Sequence, residues 1–200
     1  MGIASLLLIL VYFFPIWSIN MEAPQYPEGI GMNITVNDIQ GKEFHDLANI
    51  NGLNHYIGMK SITPESIPEL KIMPIIFGLL IVSGIVIAIW GSRKWILVWL
   101  GVFVLFAIAG LVDFYLWGYD YGHNLNPNAP IKVPGMTYQP PLLGSKQLLN
   151  INATSMPHIG FYVALLSMSI ASLAWWKSGD TDNEGESGKV GTGKETKVTA

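Results

Sequence analysis

The chain has 200 residues, no cysteine, 11 basic and 14 acidic side chains, and only 12% charged residues against 50% apolar ones. This excludes a disulfide-stapled secreted module, a disordered chain and a basic nucleic-acid-binding surface. It is also poor in charge for a soluble domain, where roughly 25% is usual.

The apolar residues collect in four runs, 2–19, 72–90, 95–117 and 159–176, of 18, 19, 23 and 18 residues. At a helical rise of about 1.5 Å per residue, each is long enough to cross a bilayer. They predict an all-α integral membrane protein with four transmembrane helices. Two large loops, 20–71 and 118–158, then form an irregular, partly β extracytoplasmic cap. A turn at 91–94 and a solvated tail at 177–200 complete the organisation.

The first run lacks a basic leading region and a small-x-small cleavage site, and it ends in Phe13, Phe14, Pro15, Ile16 and Trp17. It therefore reads as a retained anchor. In the first loop, residues 31–39 alternate crudely, with β-branched Ile34 and Val36, and predict a short strand. Thr63 and Pro64 have the pattern of a helix start leading into the second run. Pro74 sits in that run's first turn, where a missing N–H costs little. Trp17, Trp90, Trp95, Trp117, Trp175 and Trp176 mark the ends of the runs, as indoles at a headgroup layer do. The second loop is rich in Gly, Pro, Asn and Tyr, and the tail is rich in Gly, Glu, Lys and Thr without an aromatic.

Basic residues set the expected orientation. Arg93, Lys94, Lys177, Lys189, Lys194 and Lys197 lie in the turn and tail, six within 29 non-membrane residues. Lys42, Lys60, Lys71, Lys132 and Lys146 are spread over the 93 residues of the two loops. The positive-inside pattern places both termini in the cytoplasm of a bacterium, with the loops in the periplasm.

All four histidines, His45, His55, His123 and His158, fall in the loops, with Met21, Met32, Met59, Met136 and Met156. Imidazole and thioether without thiol suit copper, Cu(I) especially. His55 and Met59 are four apart, one face of a helix if that segment is helical. Met156 and His158 are two apart, one face if extended. His123 and Met136 share the second loop. The same residues serve equally well as surface groups and core fillers, so spacing leaves both readings open. Asp113, the one ionisable residue in the runs, reads as a proton relay or as an anchor of the cap, paired with Lys71 or Lys146. Its closeness to Trp117 favours the anchor. No phosphate-binding glycine loop, haem-ligating histidine within a run or nucleophile elbow is present, and no enzyme is expected.

Residues 23–29 (APQYPEG), 50–60 (INGLNHYIGMK), 119–125 (YDYGHNL), 133–142 (VPGMTYQPPL) and 144–150 (GSKQLLN) resemble one family. It is the small polytopic membrane protein found in nitrous-oxide-reductase maturation gene clusters, notably of the Bacteroidota type. The resemblance covers about residues 17–165. It implies an accessory role for periplasmic nitrous oxide reductase, a copper enzyme, with other membrane or periplasmic proteins of nitrous oxide respiration as partners. Within these motifs His55, Met59, His123 and Met136 are the candidate copper contacts; His45, Met156 and His158 lie outside them. The alternative is a non-metal scaffold or small subunit of a membrane electron-transfer or maturation complex.

Overall fold

The computed structural model describes residues 1–132 and 135–191, with side chains to residue 179. Three helices are long and apolar enough to cross a membrane: α3 (Glu69–Trp90), α4 (Arg93–His123) and the Ile159–Gly179 part of α5 (Ile159–Gly191). Only 17–22% of each span is buried within the chain, so most of its apolar surface faces outward. In water such a surface would be a severe penalty; lipid removes it.

The first apolar run is not a fourth span. It forms a short helix α1 (Gly2–Leu7), a 3-10 turn over Leu8–Tyr12, and then the start of strand β1 (Trp17–Ala23). Pro15 explains the break: it lacks a donor and disfavours helix at the residue before it. Beyond it, Trp17, Ile19, Met21 and Ala23 alternate with Ser18, Asn20 and Glu22, a period-2 pattern that suits a strand. The α1 segment lies against α3 and α5. Ser167 Oγ donates to the Ala4 carbonyl at 2.8 Å, and Tyr12 Oη donates to that of Pro74 at 2.5 Å. Across the α3–α4 hairpin, Trp99 Nε1 donates to the Leu80 carbonyl at 2.9 Å.

Nor is the chain all-α. Strands β1, β2 (Tyr26–Ile34), β3 (Ile39–Gly41), β4 (Gly144–Leu148) and β5 (Ile151–Pro157) form one antiparallel sheet in the order β3-β2-β1-β5-β4. The β1–β5 pairing, Trp17 opposite Pro157 through Glu22 opposite Asn152, joins residues 130 to 140 positions apart. Helix α2 (Asp46–Ile57) lies on the sheet with Ile50, Leu53 and Ile57 along one stripe. The strand predicted at 31–39 belongs to the longer β2, which ends at Ile34, and to β3. Thr63 precedes a 3-10 turn, Pro64–Ser66, that breaks at extended Ile67 before α3 begins at Glu69. The backbone of α5 continues helical through 177–191, where a solvated tail is expected; the rest of that tail, 192–200, lies outside the described residues.

One buried carboxylate fixes α2 to the sheet. Asp46 Oδ2 accepts the Gly31 N–H at 2.9 Å and the Glu43 N–H at 3.2 Å. Asp46→Ala leaves the buried Gly31 donor without its partner, which costs about 1–3 kcal/mol. A fall of several degrees in the melting temperature in detergent is expected, and an unchanged melt would show that the bond contributes nothing.

Candidate functional site

The start of α3, the end of α4 and the start of α5 all meet the sheet, while the α3–α4 turn lies at the other end of the helices. Helix α4 has 31 residues, about 46 Å of rise, more than the roughly 30 Å of a hydrocarbon core. Its last turns therefore project beside the sheet. Phe114, Trp117 and Tyr121 form an aromatic ladder there: Phe114 stacks on Trp117 at 6.1 Å, and Tyr121 lies 4.4 Å from Trp117. Residues 135–142 form a strap across the same turns, held by the Tyr138 N–H donating to the Gly122 carbonyl at 2.9 Å. Lys60 Nζ and Asp120 Oδ2, 2.6 Å apart, make the ion pair found among the described residues and tie the segment after α2 to α4.

Sheet, α2, the end of α4 and strap enclose a pocket of about 480 Å³. Its floor is buried Ile19, Met32, Ile50, Ile62, Tyr121 and Ala153. Ala153 lies opposite Met21 across the β1–β5 pair, and its small side chain leaves space that a larger residue would fill. Exposed Gln25, Leu149 and Asn150 line the pocket at the β1–β2 and β4–β5 turns, the ends of the strands farthest from the helices. Exposed Tyr56 and Ile131, at the end of α2 and after α4, line it as well.

Two lining residues each carry a polar atom without a hydrogen-bond partner, Trp117 Nε1 and the hydroxyl of Tyr138, a residue only 3% exposed, and both atoms are closed off from the cavity. Buried donors are almost always satisfied. No Lys, Arg, His, Asp or Glu is among the described lining residues.

Leu149 is the one non-glycine residue with positive φ (57°) among the described residues, in the two-residue turn joining β4 to β5. Leucine in the left-handed region costs about 1–2 kcal/mol. Leu149→Gly removes that strain and is expected to raise stability by about 1 kcal/mol. Chemical denaturation would measure it; a loss of stability would mean the side chain is held by packing instead.

The four residues expected to contact copper occupy different settings. His55 is exposed in the last turn of α2, and Met59 lies beyond the helix, which ends at Ile57 with Gly58 left-handed. The pair therefore does not share a helical face. His123 ends α4, exposed and stacked on Tyr119 at 3.9 Å, with Nδ1 2.9 Å from the Tyr119 carbonyl. Met136 is half-buried in the strap. Only Met59 lines the pocket, where Met21 and Met32 join it. No group of three or more His, Asp or Glu residues is placed to share a metal among the described residues. Of the others, His45 is exposed before α2, Met156 is exposed on β5, and the buried Nδ1 of His158 lacks a partner. Asp113 is exposed on α4. Its two suggested partners are not joined to it: Lys146 Nζ donates to the Gln139 carbonyl at 3.2 Å, and Lys71 makes no ion pair among the described residues.

Sequence reasoning missed the pocket, though parts of its signal were in view. The aromatic spacing of 114, 117 and 121, and of 50, 53 and 57 in α2, gives two apolar stripes without saying that they face one another. Protein-family models, curated proteins and solved structures all give no match to this chain.

Proposed function

We propose that the protein is a membrane-anchored binding protein whose sheet domain holds an apolar small molecule at the extracytoplasmic face of a bacterial inner membrane. The observation that carries this reading is the 480 Å³ pocket with a largely apolar lining, a volume within the range of small-molecule sites. Binding rather than catalysis is favoured because the described lining has no carboxylate, imidazole or amine to move a proton. The orientation follows from Arg93, Lys94 and Lys177, which flank the helix ends remote from the sheet. An accessory role in nitrous oxide respiration is the setting suggested by the motif resemblance.

Solvent extraction of the purified protein, followed by mass spectrometry, should release a stoichiometric apolar compound. If the extract holds only bulk lipid and detergent, and the protein takes up no added apolar compound, the reading fails. The cysteine-free chain allows a clean topology test as well. A single cysteine at Asn152, exposed on β5, should react with an impermeant maleimide from the periplasmic side of intact spheroplasts; labelling only after lysis would reverse the orientation.

One observation favours a second reading, Cu(I) handling for nitrous oxide reductase: three thioethers, Met21, Met32 and Met59, line the same pocket. Cu(I) competition against a chromogenic chelator should then be lost in the triple leucine variant at these positions. Loss instead in the quadruple alanine variant at His55, Met59, His123 and Met136, with His55 and His123 each contributing alone, would return the site to those four.

A further inference from the structure

The pocket's methionines bear on how its occupancy is controlled, and this step rests on the small-molecule reading above. We propose that Met21 and Met59 are an oxidation site: a peroxide converts their thioethers to sulfoxides, and the pocket then releases its apolar occupant.

Three elements bring thioethers to one pocket. On β1, Ile19 and Met21 share the strand face that lines it. Met32 of β2 lies opposite Ile19. Met59 follows left-handed Gly58, and its N–H donates to the Asn54 carbonyl at 2.8 Å, which holds it beside the end of α2. Met21 and Met59 are half-buried, while Met32 is only 3% exposed. A small oxidant entering the pocket therefore meets the first two before the third. The chain has no cysteine, so no thiol competes for it.

The step is a two-electron oxygen transfer. A sulfur lone pair attacks one peroxide oxygen, the O–O bond breaks and a sulfur–oxygen bond forms. Sulfur loses two electrons, the peroxide gains them, and hydrogen peroxide leaves as water. A flexible apolar side chain thereby becomes a polar one. The pocket is ill suited to that product. Its described lining has no Lys, Arg or His to donate to a sulfoxide. Tyr121 Oη and Asn54 Nδ2 already donate, to the Ser61 and Lys60 carbonyls. The sulfoxide oxygen therefore holds water in the pocket, and an apolar occupant offers it no partner. Met156 is an internal comparison. It is 48% exposed and just as open to oxidant, but it lies on the face of β5 opposite to Ala153 and does not line the pocket.

The test uses the full-length protein in detergent and a hexadecane bearing a photoreactive diazirine, with labelled peptides mapped by mass spectrometry. Before oxidation the probe should label the pocket segments 19–32 and 50–62 as well as the membrane helices. Hydrogen peroxide should add oxygen to Met21, Met59 and Met156 before Met32. Labelling of the pocket segments should then fall about tenfold, while that of the membrane helices stays unchanged. The double variant Met21→Leu, Met59→Leu nearly conserves side-chain volume, and it should take up the probe and keep it after peroxide. Met156→Leu should remain as sensitive as the parent. Undiminished pocket labelling of the oxidised parent would overturn the oxidation site and leave the small-molecule pocket standing. An equal loss in the double leucine variant would overturn the assignment to Met21 and Met59 in the same way. Failure of the untreated protein to be labelled in the pocket segments, together with a clean solvent extract, would overturn both.

Discussion

Trp17→Ala is expected to lower the melting temperature by on the order of 10 °C, from a loss of about 3–5 kcal/mol. Trp17 is 7% exposed and stands where the sheet meets the helices. Its ring packs edge-on against Phe114 of α4 at 5.5 Å and Phe161 of α5 at 5.7 Å. Its Nε1 donates to Ser155 Oγ at 2.7 Å, and that hydroxyl donates on to the Leu142 carbonyl of the strap at 3.1 Å. One side chain thus links β1, β5, two membrane helices and the strap. Trp17→Phe separates the contributions. It keeps most of the ring contact and removes the donor, so it should cost about 1 kcal/mol. Equal melts for the two variants would show that the hydrogen bond, and not the packing, dominates. Because the sheet and the helix bundle share this residue, the alanine variant should also lose fluorescence from the Trp117 environment in the same transition.

The position of Trp17 also shows why the sequence is only partly readable. Hydropathy reports how much apolar surface needs to leave water, not which solvent or partner removes it. For residues 72–90, 95–117 and 159–176 the two agree, because each run is one uninterrupted helix. In 2–19 they part at Pro15. The residues before it form a short helical segment against α3 and α5, and those after it enter a sheet. Ile19 is apolar because it faces the pocket, not lipid. The alternation of 17, 19, 21 and 23 was present in the sequence but masked by the apolar run that precedes it.

Long-range pairing was less legible still. Nothing local in 144–157 says that β5, paired with β4 along one edge, lies beside β1 along the other. The register is fixed by burial on one face: Ile19 opposite Ser155 and Met21 opposite Ala153 on one side, Ile19 opposite Met32 on the other. The candidate metal residues illustrate the same limit. A spacing of four between His55 and Met59 has meaning only within a helix, and Gly58 ends that helix between them. Gly58 tolerates the left-handed turn, and a Cβ there would come within 2.9 Å of Ala129 Cβ, so the loop after α4 packs close against it. Tyr138 and Trp117 could not have been singled out from sequence. What distinguishes them is a hydrogen bond each fails to make within the chain.

The pocket depends on how closely the strap approaches α4, and two glycines one helical turn apart test that dependence. At Gly118 an added Cβ would meet Pro140 Cγ at 3.9 Å, an ordinary contact. At Gly122 it would overlap the backbone N and Cα of Gln139, which cannot swing aside as a side-chain end could. The same substitution should therefore have opposite signs. Gly118→Ala restores helix propensity and is expected to be neutral or to stabilise by about 0.5–1 kcal/mol. Gly122→Ala forces the strap outward and breaks the Tyr138 N–H bond to the Gly122 carbonyl. The cost is at the upper end of the roughly 1–3 kcal/mol seen for overpacking. Hydrogen exchange at the Tyr138 amide should accelerate in Gly122→Ala alone. An apolar probe should lose affinity there, since the strap forms one wall of the pocket. If Gly122→Ala leaves both exchange and probe binding unchanged, the strap does not close the pocket in solution. The orphaned hydroxyl of Tyr138 would then be satisfied by water.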